Sequence, residues 1–248
     1  MHLEIARDNP SADIVLFRTF GNADRLIPMS APALAEILVH KSYDFEKPPP
    51  VRLFLRRLLG NGLLTSEGEE HKHQRKHLMP SFSFRHIKEL YPIFWRKALE
   101  MCQTIKTDLA ERQSDVVDIT HFATLVTMDI IGLAGMGRDM QTLKGGADEL
   151  VATFEEIVEP TAEKAIFFLS NILLPQWLIA RLPWKINERF RVTTSKLQQI
   201  CRDLVREKKE QMKTQSESHI DILSILLRSD SFSDNGLVDQ LVTFLAAG

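Results

Sequence analysis

The amino-acid sequence predicts a mainly α-helical fold, and three segments carry that prediction. Apolar residues recur at intervals of three and four over residues 84–112, the spacing of one face of a long amphipathic helix. Residues 118–133 are almost continuously apolar and predict a buried helix, and residues 185–213 predict a long charged one. Hydrophobic residues make up 44% of the 248-residue chain, which is enough for a sizeable core.

The remaining elements follow in order along the chain. Consecutive prolines make residues 47–50 a rigid connector, since proline fixes φ and lacks a backbone donor. A short amphipathic helix is predicted next, over residues 51–60. Pro92 lies inside the long pattern of residues 84–112, where it predicts a kink. Further helices are predicted over residues 147–158, 221–227 and 237–248.

Composition excludes several classes of protein. With 31 basic and 33 acidic residues the formal charge is −2, so the overall balance does not indicate a nucleic-acid partner. Cys102 and Cys201 lie far apart in helical patterns, which indicates reduced thiols rather than a disulfide framework. The longest apolar segment, residues 165–180, is interrupted by polar residues and a proline and is too broken to span a membrane.

The most distinctive local pattern is a capped and strongly basic helix. Ser66 followed three positions later by Glu69 predicts a capping box, with a helix over residues 67–78. Within residues 71–77 every position except Gln74 is His, Lys or Arg. A helix with this much positive charge needs either water or an anionic partner around it.

His71, Arg75 and Leu78 have the spacing that places three side chains on one helix face. A guanidinium beside an imidazole suits paired carboxylates or a phosphate, because arginine donates two parallel hydrogen bonds and histidine adds a third. Two other interpretations stay open. The helix is a solvated surface element, or His73 and His77 form part of a zinc site, although no further ligand lies at a recognisable spacing.

The same stretch resembles the third major helix of the cytochrome P-450 family, the haem-thiolate monooxygenases. In that family an aromatic residue or histidine precedes an arginine by four positions, after a Gly-Leu-Leu type entry and before a Pro-x-Phe exit. This sequence has Gly62-Leu63-Leu64, Gly68, His71, Arg75 and Pro80-Ser81-Phe82 in that order. The resemblance is to microsomal, fungal-like members.

The resemblance extends over essentially the whole chain. Residues 12–20 and 24–29 resemble the family's first β-hairpin, residues 31–40 the following helix, residues 129–139 the fifth helix and its exit, and residues 235–248 the opening of the long helix over the haem. The implied fold is mainly α, the N-terminal portion of the cytochrome P-450 fold, truncated at the start of the long central helix. We expect one incomplete domain over residues 1–248, with a β-hairpin region at 1–30 and a helical region at 31–248.

The resemblance also implies the site residues. His71 and Arg75 are expected to bind the two haem propionates, and Ala247 and Gly248 to lie against the haem face. Phe244 and Ala247 are expected to contact substrate, with residues 46–62 and 150–190 forming part of its wall. No catalytic residue and no metal ligand are assigned within the chain.

The implied activity is insertion of one oxygen atom from dioxygen into a small apolar organic substrate, with haem as cofactor. Electrons are expected to come ultimately from NADPH through a flavin reductase. Neither Cys102 nor Cys201 lies in a glycine-framed loop of the type that supplies the axial thiolate, and each is expected to be a packed core or half-buried residue. We therefore expect the isolated chain to be inactive.

The resemblance further implies the cytosolic face of the endoplasmic reticulum membrane. Residues 1–10 carry no apolar anchor, so a cytoplasmic location is the alternative. Membrane contact is expected through residues 165–184, with Phe167, Phe168, Trp177 and Trp184 at the interface; an apolar flap packed on the core is the other interpretation. A non-enzymatic partner-binding module that uses residues 67–78 and 165–184 is the rival function.

Overall fold

Helices dominate the computed structural model, which describes residues 2–18, 22–113, 116–174, 176–181, 184–214 and 221–247. Together with one two-stranded sheet they confirm the predicted fold class. Contacts divide the chain into two units, Met1–Lys47 and Pro48–Gly248. This division places the predicted helix of residues 31–40 with the β-hairpin rather than with the rest of the helices.

The first unit contains the predicted β-hairpin. Strands β1 (Ile14–Arg18) and β2 (Asp24–Pro28) pair antiparallel, with Leu16 opposite Leu26. Helix α1 (His2–Asp8) precedes them and was not predicted. Helix α2 (Ala31–Ala35) follows, begins at the capping hydroxyl of Ser30, and continues as a π-helical turn over Glu36–His40.

The second unit contains the remaining helices. They are α3 (Pro49–Leu59), α4 (Gly68–Leu78), α5 (Phe84–Arg112), α6 (Ile119–Ile131), α7 (Glu149–Val158), α8 (Ala162–Leu173), α9 (Gln176–Arg181), α10 (Lys185–Thr214), α11 (Ile222–Ser229) and α12 (Asp234–Ala247). The last two prolines of the predicted connector form the first turn of α3, where a missing donor costs nothing. Helices α8 and α9 occupy most of residues 165–184, for which the sequence predicted no helix.

Helices α10 and α12 lie at the centre of this unit. Leu197 and Cys201 of α10 and Leu241 of α12 are fully buried, as is Leu150 of α7. They belong to one contiguous apolar cluster, which stabilises the unit through the area it removes from water. A smaller cluster forms separately around Phe54 on α3.

The residues that α5 buries are not all the apolar residues that the sequence pattern places on one face. Tyr91, Trp95 and Leu99 are exposed, whereas Lys97 is only 1% exposed. The Lys97 ammonium contacts Glu100, Asp129 and Asp139 at 2.9, 3.0 and 2.9 Å. Burial lowers the pKa of Lys97, but the hydrogen bonds to these three carboxylates outweigh it, so the pKa is raised. Asp129 and Asp139, from other parts of the chain, and Glu100, one turn further along α5, therefore turn the lysine inward.

Among the described residues, Ile119–Met136 is the one segment long and apolar enough to cross a membrane by length and composition. It comprises α6 and the π-helical turn after it. Asp129 in its middle is fully buried and accepts hydrogen bonds from both the backbone and the hydroxyl of Thr142, at 2.7 and 2.9 Å. The second half of this segment therefore packs in the core, whereas its first two turns are mostly exposed, so the predicted buried helix is buried only in part.

Candidate functional site

The loop before α4 is held against α12 by backbone hydrogen bonds. The Asn61 amide donates to Oδ2 of Asp239 at 2.8 Å, and the Leu63 amide donates to Oε1 of Gln240 at 3.1 Å. Gly62 lies so close to α12 that a Cβ there would sit 2.6 Å from the Asp239 carbonyl oxygen. The Gly-Leu-Leu entry is therefore a close approach of loop to helix that a side chain would obstruct.

A pair of buried glutamines joins α4 itself to α12. Nε2 of Gln240 donates to Oε1 of Gln74 at 2.8 Å, and Nε2 of Gln74 donates to the Asn61 carbonyl at 2.9 Å. The two side chains are 0% and 8% exposed. Sequence reasoning missed this pair, although Gln74 was the one uncharged position in the basic run. The amides fix the position of the helix that carries His71 and Arg75.

The predicted capping box does not form, although α4 begins at the predicted place. Its N-cap is Glu67, which makes no side-chain cap. The Ser66 hydroxyl is buried and donates instead to the Leu63 carbonyl at 3.2 Å. Gly68, at the first helical position, has φ of 56°, a left-handed conformation that glycine tolerates best.

The three residues predicted to share a face of α4 differ in burial. Leu78 is buried, His71 is half-buried and Arg75 is exposed. With Gln74 and Leu78 facing inward and about 100° of rotation per residue, Arg75 lies on the flank of the buried stripe. In the part of the chain that the structure describes, the Arg75 guanidinium has no hydrogen bond and no ion pair. It is available to an anion.

Several of the neighbouring basic side chains on α4 have contacts within the helix. Lys72 pairs with Glu69 at 2.5 Å. The His73 and His77 rings lie 4.3 Å apart, and Nδ1 of His77 lies 2.8 Å from the His73 carbonyl oxygen. Across the described ranges, no group of His, Cys, Asp and Glu is arranged to hold a metal ion.

The end of α12 brings Phe244 near the exit from α4. Phe244 is 6% exposed, and its ring packs edge-on against Phe82 with centroids 6.0 Å apart. Ala247 lies about one turn further along and is exposed. Gly248 is outside the described residues. The Phe82–Phe244 contact is thus a second link between the α4 segment and α12.

Helix α3 joins α8 and α10 through Arg57. Its guanidinium donates to Oδ1 of Asn171 at 2.9 Å and to Oδ1 of Asn187 at 2.8 Å, and it lies 5.7 Å from the ring centroid of Phe190. Burial lowers the pKa of Arg57. Parts of the predicted substrate-wall segments, residues 46–62 and 150–190, are therefore joined within this unit.

The four aromatic residues expected at a membrane in residues 165–184 differ in exposure. Phe167 is 2% exposed and packs against Phe54 with centroids 6.0 Å apart, so it belongs to the core. Phe168 is exposed and Trp184 is half-buried, while the side chain of Trp177 is outside the described residues. Besides Phe168, the exposed large apolar residues of this segment are aliphatic, namely Ile166, Leu169, Leu173 and Leu174.

The two cysteines lie in different surroundings. Cys201 is fully buried on α10, and burial raises the pKa of its thiol to about 12. Cys102 is exposed on α5, so the expectation of a packed or half-buried residue is wrong for it. A metal-ligating cysteine needs its thiolate form, so the surroundings of Cys201 disfavour that role.

Comparisons with known proteins show the family of the chain. The cytochrome P-450 family model matches residues 16–248. The chain is 40% identical over 252 residues to the cytochrome P-450 monooxygenase sphH of Aspergillus fumigatus, covering 99% of this chain and 46% of that protein. It is 39% identical over 250 residues to the cytochrome P-450 monooxygenase FUM15 of Gibberella moniliformis, covering 97% of this chain and 42% of that protein.

Solved structures show the same fold. The haem domain of a cytochrome P-450DA mutant superposes with a TM-score of 0.74 at 20% identity, covering all of this chain and 52% of that one. The cytochrome P-450 CYP102L1 superposes with a TM-score of 0.71 at 16% identity, covering 98% of this chain and 54% of that one. The chain spans about half the length of the curated relatives it matches. It belongs to the cytochrome P-450 family.

Proposed function

We propose that this chain contributes the propionate-binding side of a haem-dependent monooxygenase that inserts one oxygen atom of dioxygen into a small apolar organic substrate. One observation carries the proposal: Arg75 has no hydrogen bond and no ion pair among the described residues, while the helix that bears it is fixed to α12 by buried amides. An unpaired guanidinium on a rigid support is pre-organised for a carboxylate.

The residues present fit the haem group. Its two propionates are neighbouring carboxylates, which suit Arg75 and the imidazole of His71 one turn earlier. At the end of α12, Ala246 and Ala247 are small and exposed, so a flat ligand can approach the backbone there. We propose Ala247 and Gly248 for the haem face. Phe244 together with Ala247 is proposed for the substrate side.

Haem, when bound, supplies the iron at which dioxygen is activated. The chain's own part is to neutralise the propionates through Arg75, to hold α4 in place through Gln74, and to exclude water with the Phe82–Phe244 pair. We propose that neither Cys102 nor Cys201 is the axial ligand, because Cys201 has a raised pKa and Cys102 lies exposed on α5. A flavin reductase drawing on NADPH is the proposed electron donor.

Membrane contact through α8 is part of the proposal, at the cytosolic face of the endoplasmic reticulum. Ile166, Leu169 and Leu173 recur at intervals of three and four and are each more than half exposed. An aliphatic stripe of this spacing suits the interfacial region of a bilayer. Leu169→Gln should reduce retention of the chain on phosphatidylcholine vesicles, and equal retention of the variant would contradict the contact.

Haem titration of the purified chain tests the main proposal. Arg75→Gln should weaken haem affinity by about tenfold, the loss expected for a charge-assisted bond to a carboxylate. Lys76→Gln is the matched control, since it removes the same charge from the next position of α4. Equal affinities of the two variants would contradict a role for Arg75. A chain that binds no haem would instead favour the partner-binding module of residues 67–78 and 165–184.

A further inference from the structure

A cavity lies between α5, α6, the loop between α6 and α7, and the start of α7. Its volume is about 480 Å³, which is in the range of pockets that hold small ligands. None of its lining residues comes from α3, α4, α8, α10 or α12. Of residues 150–190 only Val151 and Glu155 line it. The cavity is therefore separate from the anion site at Arg75, and most of its lining lies outside the segments proposed for the substrate wall.

The floor of the cavity is apolar and is formed by the core. Phe122 of α6, Leu143 of the loop and Val151 of α7 line it and are 5%, 4% and 6% exposed. This surface is therefore in place before any ligand arrives. Gly145 lies at one edge, where a Cβ would meet no atom within 4 Å, so that edge is open. A hydrocarbon chain that enters there can remove apolar surface of the floor from water.

The uncharged polar groups that line the cavity have already used their donors. The hydroxyls of Thr104 and Thr107 donate to carbonyls one turn earlier on α5, at 3.0 and 3.1 Å. The amides of Gly145 and Gly146 donate to carbonyls within the loop, at 3.0 and 2.9 Å. The threonine oxygens can therefore offer a ligand only their lone pairs. A cavity of this kind suits a ligand that donates hydrogen bonds.

Two carboxylates at the cavity lack a protein partner. In the part of the chain that the structure describes, the side chains of Glu111 on α5 and Glu155 on α7 form no hydrogen bond and no ion pair. The third carboxylate, Asp108, pairs at 2.7 Å with Arg112, which is the one lysine or arginine that lines the cavity. Glu111 also lies in the last turn of α5, where the carbonyl groups carry partial negative charge. Both effects favour a cation.

We propose that this cavity binds a linear polyamine, with one protonated nitrogen at Glu111, a second at Glu155, and the hydrocarbon between them on the apolar floor. Two unpaired carboxylates on different helices are best neutralised by a ligand with two separate cationic groups. A metal ion fits less well, because across the described ranges no group of His, Cys, Asp and Glu is arranged to hold one. The used donors and the excess of carboxylates disfavour an anion.

Calorimetric titration of the purified, haem-free chain with three ligands of equal length tests the proposal. The ligands 1,8-diaminooctane, octylamine and 1,8-octanediol share one hydrocarbon chain and carry two, one and no ammonium groups. The diamine should bind most tightly. Octylamine should bind about tenfold more weakly, the ratio expected for the loss of one charge-assisted contact, and the diol more weakly again. Octylamine that binds as tightly as the diamine, or a diamine that does not bind, would overturn the proposal.

Glutamine variants locate the site. Glu111→Gln and Glu155→Gln should each weaken binding of 1,8-diaminooctane by about tenfold, because each removes one charge and keeps the shape. Both residues are exposed, so both variants should fold, as circular dichroism can show. Glu156→Gln is the matched control, since Glu156 is the next residue of α7 and does not line this cavity.

The control also separates a specific site from general attraction of a cation to an acidic surface. General attraction would make all three glutamine variants lose affinity equally, and that outcome overturns the assignment. Unchanged affinity in both Glu111→Gln and Glu155→Gln would overturn it as well. The haem affinity of these variants should equal that of the parent chain, so the result does not depend on the role of Arg75.

Discussion

Gln240 donates a hydrogen bond to Gln74 at 2.8 Å, across 166 residues of sequence. Each side chain has a further partner, because Gln240 accepts from the Leu63 amide and Gln74 donates to the Asn61 carbonyl. Polar groups buried this deeply are stable only when they are satisfied, so each amide depends on the other. The basic helix is therefore fixed by Gln74, the one residue within 71–77 that is not His, Lys or Arg, and Arg75 one position later has no hydrogen bond or ion pair among the described residues.

Gln240→Leu should destabilise the chain. It leaves the Leu63 amide and Oε1 of Gln74 without these partners, and each buried unpaired group costs about 1–3 kcal/mol. Urea unfolding measures the change. The exposed Gln103→Leu serves as control, with an expected change within about 0.5 kcal/mol.

The Gln74→Leu, Gln240→Leu double variant separates the pair from its surroundings. Because it removes both partners of the amide contact, its loss should be smaller than the sum of the two single losses. If the stability loss of the double variant equals the sum of the two single losses, the contact contributes no coupling energy.

Lys97→Met should destabilise the chain by about 3–5 kcal/mol, the usual result of leaving buried charges without their partner. Asp129 is fully buried and loses its ion pair. Lys144→Met is the control, since Lys144 pairs with Glu100 from the surface and should contribute less than about 1 kcal/mol. Losses of equal size in the two variants would contradict the central role of Lys97.

The Lys97→Met loss should also depend on pH. Hydrogen bonds from Lys144 and Lys97 lower the pKa of Glu100 below its ordinary 4.5. A carboxyl group whose pKa is lower in the folded state stabilises the fold above its ordinary pKa, and that stability is lost as the pH falls through the folded value. Because the variant lacks one of the two partners, its difference from the parent chain should shrink in acid. Unfolding curves of both chains from neutral to acidic pH measure this difference in the free energy of unfolding.

The sequence predicted the helices well and their polar contacts poorly. Residues 84–112 form one helix because apolar periodicity is a local signal that a single segment contains. Burial of Lys97 on that helix depends on Asp129 and Asp139, which lie 32 and 42 residues further along the chain. Local patterns hold no record of such partners, and the apolar face predicted over residues 84–112 includes Tyr91 and Trp95, which are exposed.

In the candidate site, too, local features were predicted from the sequence and contacts with distant segments were not. His71 and Arg75 follow from spacing, since one helical turn separates them whatever the rest of the chain does. The capping box failed because the Ser66 hydroxyl has a carbonyl partner in the preceding loop. That loop docks on α12 through Gln240 and Asp239. A glutamine and an aspartate in an apolar helix do not indicate which segment they bind, so the sequence did not predict this contact.

Gly62→Ala should destabilise the chain because α12 leaves no space for a side chain. A Cβ at Gly62 would lie 2.6 Å from the Asp239 carbonyl oxygen and would also meet the Thr243 hydroxyl, so the loop or the helix would have to move. The expected cost is about 1–3 kcal/mol in urea unfolding. Gly236→Ala is the matched control, because the nearest atoms there are at ordinary contact distances of 3.4 and 3.7 Å. Similar stability of both variants would mean that the approach at Gly62 is not tight.

Asp239→Asn should be at least as stable as the parent chain at neutral pH. Burial raises the pKa of Asp239, and the hydrogen bond from the Asn61 amide only partly opposes this. A group whose pKa is raised by folding favours the fold when protonated, and that contribution is lost as the pH rises through the folded value. Asparagine carries no charge, so the variant does not lose this stability as the pH rises, and its side-chain oxygen can still accept a hydrogen bond. Its stability advantage over the parent chain should therefore vanish in acid. Asp239→Ala removes the acceptor and should cost about 1 kcal/mol.

Alkylation separates the two thiols and tests the exclusion of Cys201 as an iron ligand. The reactive and metal-binding form of cysteine is the thiolate, which burial disfavours at Cys201 by raising its pKa to about 12. In the native chain a maleimide should therefore modify exposed Cys102 alone, and a second adduct should form only in denaturant, as read from the intact mass. In Cys102→Ser the native chain should stay unmodified. Rapid labelling of that variant would show that Cys201 is accessible as a thiolate, and its exclusion as a haem ligand would then fail.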